Sequence, residues 1–119
     1  MGIMKALIIS LILLLFVVAP SFAESVVADS EALKHVGEQV SVRGKVAQVF
    51  VSGNNTTFLN FGAAYPEQTF AGFIPAASKA AVGELSGLKG KAVIITGKVN
   101  LYRGKPQIAV TARSQIREE

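Results

Sequence analysis

The chain contains no cysteine and no tryptophan, and only one histidine among its 119 residues. Without cysteine there is no disulfide framework, no thiolate metal site and no thiol nucleophile. His35 alone cannot build a multi-histidine metal centre, and no serine, histidine and carboxylate set is available for nucleophilic catalysis. No glycine-rich phosphate loop is present either. The expectation is a protein that is not an enzyme, with no metal and no cofactor. His35 reads as the C-terminal cation or a boundary residue of a short helix. Basic side chains number 12 against 8 acidic ones, a formal net charge of +4. Such an excess suits nucleic acid, anionic glycans or a negatively charged membrane surface, and suits ordinary solubility equally well.

Long apolar runs are confined to the N-terminus. Lys5 precedes an apolar stretch from Ala6 to Ala19 broken only by Ser10, Pro20 ends it, and Ser21-Phe22-Ala23 offers small residues where a signal peptidase cuts. The stretch falls short of the roughly 20 residues that a helix needs to span a bilayer. The pattern predicts a signal peptide over residues 1–23, cleavage after Ala23, and a periplasmic or secreted product without a membrane span. Residues 24–119 then form a single domain, its core about 32–116. A cysteine-free domain of this size must be held by packing alone, which favours a closed sheet.

Within that domain Asp29 or Ser30 can cap a short helix from Glu31 to Val36 that stops at Gly37, with Ala32, Leu33 and Val36 facing the body. Alternating valines mark a long strand from Gln39 to Val51, with Gly44 as a bulge or sharp bend. Strands follow at Thr56 to Phe61 and Gln68 to Ile74, then an alanine-rich helix from Ala76 to Leu85. Another long strand runs from Lys91 to Tyr102, Arg103-Gly104 makes a tight turn, and Pro106 to Ala112 is the last strand. The polar tail from Arg113 reads as frayed. Val40-Ser-Val-Arg-Gly-Lys-Val46 and Val93-Ile-Ile-Thr-Gly-Lys-Val99 share a hydrophobic frame, so both long strands bend at a glycine. The order strand, strand, strand, helix, strand, strand predicts an all-β domain with one or two short helices. It is that of the OB-fold, a five-stranded Greek-key barrel with its helix between the third and fourth strands. A β-sandwich is the rival, and the helix argues against it.

Val42-Arg-Gly-Lys-Val46, Thr57-Phe-Leu-Asn-Phe-Gly62, Tyr65-Pro66, Gln68-Thr-Phe70 and Leu101-Tyr-Arg-Gly-Lys-Pro-Gln-Ile108 resemble small secreted bacterial OB-fold proteins of the nucleic-acid-binding, anticodon-binding-like superfamily. The chain is also distantly similar to a periplasmic OB-fold family linked to envelope stress and to the barrel of secreted micrococcal-type nucleases. That nuclease barrel needs carboxylates and arginines around its sheet. Here Glu24, Asp29, Glu31, Glu38, Glu67, Glu84, Glu118 and Glu119 all fall in helices, loops or tails, so the resemblance does not extend to hydrolysis.

In OB barrels the second and third strands and the loops beside them form the usual binding face. If Leu59 and Phe61 point inward, Phe58 and Asn60 point outward, where a ring and an amide can meet a base or a sugar. The third strand is apolar on both sides, so its exposed phenylalanine is undecided, and Phe70 is one candidate. Tyr65, Tyr102, Arg103 and Lys105 in the loops, with Arg43 and Lys45 on the first strand, complete the candidate ligand-binding set. Rings flanked by cations hold a single strand through stacking and phosphate contacts. The function expected is a binding module for single-stranded nucleic acid or another extended anionic ligand such as an oligosaccharide. The alternative is an envelope protein whose barrel docks on a protein partner, with the basic groups serving solubility.

Overall fold

The structure is a computed structural model that describes residues 25–119. The expected signal peptide lies outside the described residues. The strands are β1 (Val26–Ala28), β2 (Gln39–Val51), β3 (Thr57–Phe61), β4 (Phe70–Ile74), β5 (Ala92–Tyr102), β6 (Lys105–Ala109) and β7 (Ile116–Glu118). A 3-10 helix, Asp29–His35, separates β1 from β2, and a 3-10 turn at Ala76–Ser78 runs into the single-turn helix α1 (Lys79–Val82) between β4 and β5. Strands β2 to β6 close a barrel in the order β2-β3-β4-β6-β5, with β5 returning to β2. Only the β4–β6 pair within the barrel is parallel. This is the OB-fold, with its helical segment between the third and fourth barrel strands.

Closure depends on two long strands that each serve two neighbours. Residues 39–45 of β2 pair with β5 and residues 46–51 with β3. Residues 92–98 of β5 pair with β2 and residues 99–102 with β6. Both strands therefore change partner inside the repeated Gly-Lys-Val, directly after Gly44-Lys45 and Gly97-Lys98. Neither glycine is the bulge itself, since the register shift in β2 falls between Val46 and Gln48. Space is what each supplies. A Cβ on Gly44 stands 2.7 Å from Phe61 Cδ2, and one on Gly97 stands 2.5 Å from Ile108 Cγ2, closer than packed carbons tolerate.

The core is made by the inward residues of the barrel strands, among them Val42, Val46, Leu59, Phe61, Phe70, Ile95, Val99 and Ile108, all essentially inaccessible to solvent. Each such side chain contributes about 1.5–3 kcal/mol through burial. Phe61 and Phe70 meet edge to face at 5.2 Å, a favoured aromatic geometry. Ser41, also buried, pairs its hydroxyl with Thr96 Oγ1 at 2.7 Å.

Several sequence expectations are corrected. The first helix is 3-10, and of its apolar residues only Ala32 is buried; Leu33 and Val36 are 54% and 40% exposed. Three residues per turn line up Asp29, Ala32 and His35 along one narrow face, and Ala32 is the apolar residue on it. The C-terminal tail does not fray. Ile116–Glu118 pairs antiparallel with β5, and the Gln115 amide donates to the carbonyls of Thr96 and Ala109 at 3.0 and 2.9 Å. Strand β1 lies parallel to β2, an addition that three residues of sequence do not announce.

Candidate ligand-binding groove

β3 alternates as expected: Leu59 and Phe61 are buried in the barrel, and Phe58 and Asn60 line the other face, where Asn60 is itself covered, at 2% exposure. Register then carries the outer face across neighbouring strands. Phe50 on β2 lies opposite Phe58, which lies opposite Phe73 on β4. One step along, Gln48, Asn60, Ala71 and Gln107 share a row across β2, β3, β4 and β6. The aromatic row and the amide row thus run side by side over the outer surface of the sheet.

A groove of about 370 Å³ opens over these rows. Phe50 and Phe58 form one side, their ring centroids 6.4 Å apart and tilted by 33°. The β5–β6 hairpin forms the other. Arg103 and Gly104 both have positive φ, 50° and 78°, the pairing that a two-residue turn between twisted strands requires. That turn puts Tyr102 opposite Lys105 and lays the Arg103 guanidinium 5.2 Å from the centre of the Tyr102 ring. Tyr65, 59% exposed, comes from the loop between β3 and β4.

Hydrogen bonds tie the walls to the floor. Asn60 Nδ2 donates to Gln48 Oε1 at 2.8 Å, and the Tyr65 backbone N–H donates to the same oxygen at 3.1 Å. Lys105 Nζ donates to the Gln68 carbonyl at 3.0 Å and links the hairpin to the β3–β4 loop.

Of the residues singled out in sequence, Phe58, Asn60, Tyr65, Tyr102, Arg103 and Lys105 line this one groove. Phe70 does not. It lies fully buried against Phe61, because pairing with Phe61 gives it the inward phase of β4, and Phe73 takes the outward one. Arg43 and Lys45 are not brought to the groove either. They lie on the half of β2 that pairs with β5, and Arg43 makes an ion pair with Glu119 at 2.5 Å. Sequence reading missed Gln48, Phe50, Gln68 and Gln107 as lining residues. Phe50 carried a signal, since the alternation of Val49 and Val51 places it on the opposite face of the strand; the glutamines carried none that sets them apart from solvated side chains. Among the described residues no group of three or more His, Cys, Asp or Glu is placed to hold a metal, and no helix is long and apolar enough to cross a membrane.

No protein-family model matches the sequence, and no curated protein matches it. Solved structures do match in shape. One is a Leishmania major Friedlin protein assigned as an aspartyl-tRNA synthetase, with 12% identity and a TM-score of 0.55 over 85% of this chain. The chain spans only 22% of that protein's length. Another is the OBody AM1L10 bound to hen egg-white lysozyme, with 18% identity and a TM-score of 0.56, covering 84% of this chain and 98% of the OBody. The shared feature is the fold. At such identities the likeness extends no further.

Proposed function

We propose that this protein is an exported OB-fold binding module whose groove takes a segment of single-stranded nucleic acid. One observation carries the reading: Phe50, Phe58, Tyr65 and Tyr102 surround a single groove with Arg103 and Lys105 at its hairpin end. Aromatic faces accept any base by stacking at about 1–3 kcal/mol each, and a flanking cation accepts phosphate. The synthetase, whose name refers to tRNA, lends support through shape alone. Export, to the periplasm or the medium, is supported by the apolar segment and small-residue cleavage pattern of residues 1–23.

The test is fluorescence anisotropy with labelled single-stranded DNA and RNA octamers on the chain beginning at Glu24. The reading expects saturable binding that weakens with salt and is lowered by Phe58→Ala. Absence of binding to both octamers at low salt overturns it.

A second reading, docking of a protein on the same face, draws on the exposed rims. Phe50, Tyr65 and Tyr102 stay 47–59% exposed, and the similar OBody is bound to a protein. An apolar interface of that kind holds its affinity as salt rises, whereas phosphate contacts do not.

A further inference from the structure

Four primary amides surround one alanine in the groove. Gln48, Asn60 and Gln107 share the register row of Ala71, and Gln68 joins them from the loop before β4. Because Ala71 ends at Cβ, the floor dips between the amides. The two bonds to Gln48 Oε1, from Asn60 Nδ2 and the Tyr65 N–H, orient the first pair. They leave Gln48 Nε2 as a donor and Asn60 Oδ1 as an acceptor.

Gln68 differs from the other three. It is buried at 6% exposure, as Asn60 is at 2%, but its backbone carbonyl is held by Lys105 Nζ at 3.0 Å and its side-chain Oε1 is a buried acceptor without a hydrogen-bond partner. Buried acceptors are nearly always satisfied, and one left unpaired is unfavourable until a donor arrives. The charges around it are one-sided. Among the described residues lining the groove none is acidic, and the cations Arg103 and Lys105 both belong to the hairpin.

The matching ligand has a flat, uncharged part with N–H donors and acceptors on its edge, joined to an anion at one end. A base with its phosphate fits that description; an anion without a ring edge leaves the amides unused. Resting on the nucleic-acid reading above, we infer that the groove is a base-reading subsite. It takes one unpaired base by its hydrogen-bonding edge over Ala71, Gln68 Oε1 accepts an N–H from that base, and the adjoining phosphate lies toward Arg103 and Lys105.

The test compares an octamer of deoxyadenosine with an abasic octamer of the same length and charge, by anisotropy on the chain beginning at Glu24. The intact strand is expected to bind at least about tenfold more tightly. Gln68→Met should weaken the intact strand by about five- to tenfold and leave the abasic strand unchanged. Gln107→Met, at a partly exposed position that tolerates substitution, should act in the same direction. Neither variant should alter the log–log salt slope, expected near −1.4 for about two phosphates on a single strand. Equal binding of intact and abasic strands overturns base reading and leaves nucleic-acid binding standing. Parent-like binding by both folded glutamine variants does the same. Failure of every strand to bind overturns both.

Discussion

Phe58 and Phe61 lie on the same short strand and do opposite work. Phe61 is fully buried, edge-on to Phe70, whereas Phe58 is only partly buried, beside the exposed Phe50 at the groove. Phe61→Ala should therefore cost about 3–5 kcal/mol of stability. Phe58→Ala should cost clearly less and weaken single-strand binding by about 1–3 kcal/mol. Urea unfolding and anisotropy on the same two proteins check this; a Phe58→Ala chain that loses as much stability as Phe61→Ala makes Phe58 a core residue and removes it as a platform. Lys105→Ala should reduce the salt slope by about 0.7, the share of one phosphate on a single strand. Away from the groove, the Glu84 carboxyl is held below its ordinary value, first by the Ser86 backbone N–H, then by the Ser86 side chain and the Leu85 backbone N–H. Oε1 accepts the two backbone bonds at 2.9 and 3.0 Å. A depressed carboxyl stabilises the fold above its ordinary pKa and loses that contribution as pH falls through the lowered value. Side-chain NMR titration should find Glu84 protonating at lower pH than a free glutamate.

At the scale of elements, the barrel corners and the tail make opposite demands on sequence. The corners need an absence. A side chain on Gly44 meets Phe61 and Asp29, and one on Gly97 meets Ile108, so Gly44→Val and Gly97→Val should each lose about 1–3 kcal/mol through overpacking. Thermal melting measures it, and unchanged melting in both variants would mean that the strands turn without needing those spaces. The tail needs a presence. Gln115 ties β5 to β6, Ile116 is 8% exposed, and β7 pairs with β5. Truncation after Ala112 should lower the melting temperature measurably, since it exposes Ile116's site and removes the Gln115 amide from two carbonyls. A frayed tail would be lost without consequence.

At the scale of the whole molecule, export and ligand choice are separate questions. Expression of the full chain in a bacterial host with an envelope should yield a mature protein beginning at Glu24 by mass spectrometry, as the Ser21-Phe22-Ala23 pattern implies. Intact Met1 in the envelope fraction refutes that. The salt dependence of whatever binds the groove divides nucleic acid from protein docking, because only phosphate contacts release counterions as they form.

The barrel was legible in sequence because its determinants are local. Valine alternation marks β2 and β5, the repeated Gly-Lys-Val marks both corners, and Arg103-Gly104 marks the hairpin turn. The inward phase of β3 was legible for the same reason, and it placed Phe58 and Asn60 on the correct side. Tertiary structure alone decided the rest. β4 is apolar on both faces, so only its register with β3 sends Phe70 into the core and Phe73 outward. Strands β1 and β7 are three residues long and exist through pairing with β2 and β5. Arg43 and Gln48 lie five positions apart on one strand, yet that strand changes partner between them, sending Arg43 to Glu119 and Gln48 to the groove. The amides around Ala71 come from separate strands and a loop. Side-chain periodicity orders residues along one strand, and only pairing between strands decides which of them meet.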